Sequence, residues 1–344
     1  MSNLNRTLDK EEHVKRSKSE VDDYLQSVIG LYAFAHSCAW NNSARRVRPD
    51  SKICIPRKMA SASGSRRTQL TPDGVVQVDG QYGVVSEMKK HFQLANGRDT
   101  FDQIRRYSAP LWGWWTKTKL IDHHDVALLT HITSSTDASD AFDEWSAAGN
   151  EMESPFAIVE FGYVEQGQLW FMLRRIKGGL SDKPHDESLR RGKKLSPLVM
   201  TDVFSRRKFM ENEPPLIYML LLVYVYALPL FGKQETFEES TGGKVVIVKA
   251  TAAQVRDRLE EQFCPRGNDA GAFNLPRLAW VKRALETLVQ LDLGTRPSKS
   301  TGAYRIVLRQ PGKKDLTEYF AERLYAHGKT ARQKPTSIQP DLFE

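Results

Sequence analysis

The chain has 344 residues, of which 40% are hydrophobic and 27% charged, with a formal net charge of +8 and an isoelectric point near 9.2. This composition excludes an intrinsically disordered polymer, allows two domains with separate cores, and favours polyanionic partners. The three cysteines, Cys38, Cys54 and Cys264, are spaced for neither a zinc site nor a disulfide framework, so reduced thiols in a cytoplasmic protein are expected.

Residues 1–20 are polar and lack the apolar stretch of a secretory signal. Val21, Leu25, Val28, Ile29, Tyr32 and Ala35 then recur at helical spacing, which predicts a helix over 19–40. A basic, apolar-poor stretch over 41–67, with SASGS at 61–65, reads as a mobile loop. Two strands, 74–78 and 82–88, flank Asp79-Gly80, a favoured hairpin turn. A helix over 100–107, a buried strand over 125–132 and a hairpin of 156–164 with 169–176 around Gln166-Gly167 complete an α/β core with a mixed sheet flanked by helices.

Gly, Ser, Asp, Lys and Arg dominate 177–194, which reads as a linker. The expected division is a first domain over 1–180, a linker over 181–196, a second domain over 197–310 and a tail over 311–344. The apolar run at 216–228 has thirteen residues, fewer than the roughly 20 a membrane span needs. Pro214, Pro215 and Pro229 bracket it, so a buried helix is expected. A strand over 245–248 follows. Thr251 and Gln254 then form a capping box opening a helix over 251–263. A second helix over 275–291, a strand over 304–308 and a short helix over 316–326 precede a polar end.

Chemistry concentrates in the first hairpin. Glu87 and Lys89 are two apart on a strand, so their side chains leave one face, and Asp73 starts the partner strand. Two close carboxylates repel unless a cation sits between them, and a hard divalent ion with oxygen ligands does so. A neighbouring lysine can orient or activate a water, and phosphodiester cleavage requires these parts. Pro72-Asp73 followed by Glu87-Met88-Lys89 resembles the motif of the PD-(D/E)xK nuclease superfamily, whose core is restriction-endonuclease-like. Gln103-Ile104-Arg105-Arg106-Tyr107 is similar to the Q-x-x-x-Y helix of its RecB-like members.

The resemblance covers about the first half of the chain. It implies that Asp73, Glu87 and the Met88 backbone carbonyl ligate Mg²⁺ or Mn²⁺, that Lys89 serves the attacking water, and that Gln103 and Tyr107 position the site or its DNA. It also implies an acid from the first helix. Glu20 is the leading candidate, with Asp22, Asp23 and Glu12 competing.

Several nearby residues have two readings. Trp112, Trp114 and Trp115 can stack on exposed bases or fill a core. His123, His124 and Asp125 are metal-ligating types, but adjacent ligands do not converge, so they read as a polar lead-in to the next strand. Arg66 and Arg67, in the basic stretch, are candidate phosphate contacts that would position DNA without reading it, or part of a solvated loop.

In the second half, the order helix, helix, strand resembles a winged helix, a mainly α domain, with Arg277, Lys282 and Arg283 on or beside its second helix. A basic second helix suits major-groove docking; self-association, as in a homodimer, is the other use of such a domain. Gln339, Asp341, Leu342 and Phe343 resemble the short peptide by which bacterial proteins bind the replicative sliding clamp, with Pro340 departing from its usual leucine. The expected function is a Mg²⁺- or Mn²⁺-dependent DNA nuclease for restriction, antiphage defence or repair. The alternative is a non-catalytic winged-helix DNA-binding regulator carrying a degenerate nuclease domain. No membrane association is expected.

Overall fold

The valine-rich segments Gly74–Gln77 and Gly83–Met88 pair antiparallel from Gly74↔Ser86 to Gln77↔Gly83. Asp79 holds the connection, its Oδ1 accepting the backbone N–H groups of Gln81 and Tyr82. The computed structural model in which this hairpin lies describes residues 9–41, 46–48, 51–54, 59–61, 69–114, 119–121, 123–166, 168–195, 208–210, 212–231, 235–238, 244–263, 275–297, 301–308 and 315–333. The chain divides into two compact units. One holds Asp23–Glu213 with Glu260–Leu275, the other Met1–Asp22, Pro214–Leu259 and Pro276–Glu344.

The first unit is built on a seven-stranded mixed sheet. Its elements in chain order are α1 (Lys10–Ala39, from residue 23), β1 (Lys52–Cys54), β2 (Gly74–Gln77), β3 (Gly83–Met88), α2 (Gly97–Ser108), β4 (Asp125–His131), α3 (Ser135–Ala147), β5 (Phe156–Gln166), β6 (Gln168–Gly178), α4 (Lys183–Arg190) and β7 (Lys193–Leu195). The strands lie side by side in their order along the chain. β3 with β4 and β4 with β5 pair parallel, and every other neighbouring pair is antiparallel. Parallel neighbours need a crossover, and α2 and α3 supply the two crossovers.

Alternation along the strands gives the sheet two apolar faces. Val75, Val85, Val126, Leu128 and Ile158 form one core with Phe101, Ile104 and Tyr107 of α2 and Trp145 of α3. Phe101 is its aromatic hub, in ring contact with Phe92, Phe142, Trp145 and Phe156. α1 approaches the sheet closely at Gly30, where a Cβ would lie 2.8 Å from the Phe161 ring, so a larger residue would push the helix away. α3 is absent from the sequence-based expectation because its buried stripe is mostly small residues, Ala138 and Ala141 before Trp145.

Two expectations need correction. Residues 183–190 and 193–195, expected within a linker, are α4 and the edge strand β7. Their polar residues fasten them to the body: Asp182 caps α4 and pairs with Arg48 at 2.5 Å, and Asp186 accepts the Leu180 N–H and pairs with Arg175. Composition does not separate such a segment from a solvated linker. The compact units change over after Asp22, Glu213, Leu259 and Leu275.

The basic stretch expected as a loop also contributes structure. It supplies β1 and the strand Met59–Ser61, which lies between Gln69–Leu70 and Leu111–Trp114 in a small antiparallel sheet that ends on Lys119–Ile121. Trp114 is fully buried and occupies the space beside Gly83, where a Cβ would meet its ring at 2.1 Å. Trp112 is half-buried, and Trp115 lies outside the described residues.

In the other unit, α5 (Leu216–Leu221) widens into a π-helical turn over Leu222–Ala227 and tightens over Leu228–Phe231. The run is buried apart from a few positions that include the exposed Val225 and Tyr226. Among the described residues no helix is long and apolar enough to cross a membrane.

β8 (Glu235–Glu238), β9 (Lys244–Ala250), α6 (Ala252–Phe263), α7 (Leu278–Gln290), β10 (Gly294–Thr295) and β11 (Tyr304–Leu308) follow, with an antiparallel sheet ordered β8-β9-β11-β10. Thr251 and Gln254 exchange the expected pair of hydrogen bonds, at 2.8 and 3.2 Å. The final helix, α8 (Leu316–Gln333), runs past its expected end at 326. It buries Phe320 and Ala321, and its Glu322 pairs with Lys10.

Candidate active site

Period-two alternation turns Glu87 and Lys89 to the α2 side of β3. The ladder continues past the strand end, where the Lys89 N–H donates to the Leu129 carbonyl. Asp73 lies one step beyond the Gly74↔Ser86 pair and therefore opposite Glu87. Its Oδ2 accepts the Met88 N–H at 2.8 Å. Both carboxylates are buried, Asp73 at 6% and Glu87 at 4% exposure.

α2 supplies the remaining contacts. Gln103 and Tyr107 are one turn apart on it, so they share a face. The Gln103 amide Nε2 donates to Glu87 Oε1 at 2.9 Å and to the Tyr107 hydroxyl at 2.8 Å. Lys89 Nζ also lies 2.9 Å from Oε1. Burial first, and the Glu87 charge second, push the Tyr107 phenol well above the usual range, so it stays protonated.

Glu87 Oε1 thus takes two donors, while Oε2 is buried with no hydrogen-bond partner among the described residues. A buried carboxylate oxygen without a donor is costly, and a cation relieves that cost. Asp73 and Glu87 carry hard oxygen donors, the chemistry that suits Mg²⁺ or Mn²⁺. Among the described residues no three His, Cys, Asp or Glu side chains group to hold a metal ion, so the side-chain donors at this site are these two.

Glu20 is not among them. It is half-exposed, ion-paired to Arg16 at 2.8 Å, and falls in the other compact unit. The first-helix acid that reaches the motif is Asp23, which pairs with Lys90 at 2.5 Å and His91 at 3.3 Å. Burial opposes its ionisation, but hydrogen bonds from Lys90 and His91 hold Asp23 below the usual carboxylate range. The legible signal was the doublet Lys89-Lys90: adjacent residues on an extended chain leave opposite faces, so Lys90 turns away from Glu87.

No protein-family model, curated protein or solved structure matches the chain.

Of the other sequence-derived residues, some belong to the other compact unit and some lie outside the described residues. Arg277, Lys282 and Arg283 are exposed at the start and outer face of α7, with Arg277 stacked over Trp280 at 5.3 Å. Arg66, Arg67, Gln339, Leu342 and Phe343 lie outside the described residues. His123 is exposed, whereas His124 is buried and its Nε2 lies 2.6 Å from the Tyr107 carbonyl. Nothing in the spacing announces that contact, because Tyr107 and His124 are joined only by the fold.

Proposed function

We propose that the chain is a Mg²⁺- or Mn²⁺-dependent DNA nuclease of the PD-(D/E)xK type. The observation that carries the reading is the buried Glu87 Oε2, without a hydrogen-bond partner among the described residues, in a cluster that also holds Lys89, Gln103 and Tyr107. A divalent ion held by Asp73, Glu87 and the Met88 carbonyl would neutralise charge at a scissile phosphate. Lys89, half-buried and tied to Glu87, would hold a water by its ammonium group and orient it. Gln103 fixes the Glu87 carboxylate through one oxygen and leaves the other available, and Tyr107 fixes Gln103.

The second unit is read as a winged helix that holds DNA. Its support is the order of β9, α6 and α7 followed by the β10–β11 pair, together with exposed Arg277, Lys282 and Arg283. The clamp-binding reading of Gln339, Leu342 and Phe343 rests on the sequence alone. A defence, restriction or repair setting suits such an enzyme. The regulator reading is favoured by one observation, the lack among the described residues of a third acidic, histidine or cysteine side chain at the site.

A cleavage assay separates the two. Wild type and Lys89→Ala are compared on supercoiled, linear and single-stranded DNA with Mg²⁺, Mn²⁺ or EDTA. Cutting by wild type alone, lost in EDTA, supports the nuclease. DNA binding with no metal dependence and no cutting by either supports the regulator.

A further inference from the structure

α2 ends at Ser108, and the carbonyls of a helix's last turn have no partner within the helix. One of them, that of Tyr107, lies 2.6 Å from His124 Nε2. A carbonyl only accepts, so this nitrogen carries the proton and donates. The other ring nitrogen, Nδ1, is buried with no hydrogen-bond partner among the described residues. The ring packs beside Trp114, 5.4 Å between centroids, and burial lowers its pKa.

An apolar residue here would avoid the unsatisfied Nδ1. What histidine adds is the N–H on Tyr107. That residue is the first link in a chain of contacts: the Tyr107 hydroxyl to Gln103 Nε2, and Gln103 Nε2 to Glu87 Oε1. The residue that follows it is tied elsewhere. Asp125 opens β4 and accepts from the Tyr82 hydroxyl and from the Ser181 N–H and hydroxyl.

We propose that His124 is a positioning residue of the Glu87 site: by fixing the Tyr107 carbonyl at the end of α2 it sets the Gln103 amide, and so the rotamer that leaves Glu87 Oε2 available to a cation. This rests on the reading of Glu87 as a cation ligand. Outer-shell partners that bond a ligand directly, as Gln103 bonds Glu87, typically affect metal affinity about 10- to 100-fold, and His124, acting through Gln103, is expected at the lower end of that range.

The test is Mn²⁺ binding to the full chain without DNA, by calorimetry, with thermal unfolding recorded on the same samples. His124→Leu is expected to weaken Mn²⁺ binding about tenfold or more, and His124→Gln, whose amide can still donate, to recover most of it. Unchanged Mn²⁺ affinity in His124→Leu, whatever its melting temperature, would overturn the proposal while leaving Glu87 as the ligand. Absence of Mn²⁺ binding by wild type, matched by Glu87→Gln, would instead remove the cation site and the proposal with it. Should His124→Leu not fold, nitrogen NMR of the wild-type imidazole decides. The Nε2–H tautomer, with resonances that move as Mg²⁺ is titrated, is expected; an Nδ1–H tautomer, or resonances that ignore Mg²⁺, overturns the proposal.

Discussion

Glu87 and Asp125 are buried carboxylates on neighbouring parallel strands, at opposite ends of the β3–β4 pair. Asp125 is fully served: Oδ1 accepts the Ser181 hydroxyl, and Oδ2 accepts the Ser181 N–H and the Tyr82 hydroxyl. Glu87 has both of its donors on one oxygen and none among the described residues on the other. Equal burial therefore has two meanings. A buried acid whose oxygens are all occupied fastens the fold, here the segment after β6 to the start of β4. A buried acid with an oxygen that no described donor reaches is, on the proposed function, the one that takes a ligand.

The largest test of that contrast is catalytic. Glu87→Gln is expected to lower DNA cleavage by at least about a thousandfold, since a divalent ion supplies several kcal/mol at about 1.4 kcal/mol per factor of ten. The same change should leave urea unfolding nearly unaltered, because it removes a charge that is only half satisfied. If Glu87→Gln unfolds the chain and leaves cleavage intact, the two acids have the opposite roles.

Asp125→Ala is the converse. It strands the Tyr82 hydroxyl and both Ser181 donors, and a loss of about 2–4 kcal/mol in urea unfolding is expected with the cleavage rate of the folded protein kept. A third buried group sharpens the structural side. His185 lies 3.0 Å from the Ser37 hydroxyl, and burial pushes its pKa down to about 4. The folded state then binds fewer protons than the unfolded state between pH 6.5 and about 4. Stability should therefore decline as pH falls through that window, by up to about 1.4 kcal/mol per unit. His185→Gln should flatten the decline, and urea midpoints at several pH values measure it.

The smallest effect is expected from Tyr107→Phe, which removes one partner of Gln103 while Glu87 keeps both of its donors. About tenfold slower cleavage with an unchanged melting temperature is the anticipated result. A larger loss than that of Glu87→Gln would make the phenol, not the carboxylate, the centre of the site.

Much of the core was legible because periodicity reports which side chains share a face. The β2–β3 hairpin, α2 and the β5–β6 hairpin follow from alternation or helical spacing together with turn residues at Asp79-Gly80. Asp73, Glu87 and Lys89 could be grouped in advance for the same reason, whereas Gln103 and Tyr107 joined them only through the resemblance. α3 was hidden because alanines make a weak stripe, and α4 with β7 because their polar residues look solvated until their partners are known. Glu20 came from the resemblance alone; in the fold it pairs with Arg16, whereas Asp23 of the same helix pairs with Lys90, which turns away from Glu87.

The amino-acid sequence by itself determined the local pairings, Glu87 beside Lys89 at period two and Gln103 beside Tyr107 at one helical turn, since each is a consequence of backbone geometry over a few residues. Only the tertiary structure decided which buried acid kept an oxygen without a donor among the described residues. That outcome depends on donors brought from afar: Ser181 to Asp125, 56 positions away, and Gln103 to a single oxygen of Glu87, 16 positions away. Hydrogen-bond satisfaction is a property of three-dimensional neighbours, and no spacing along the chain encodes it.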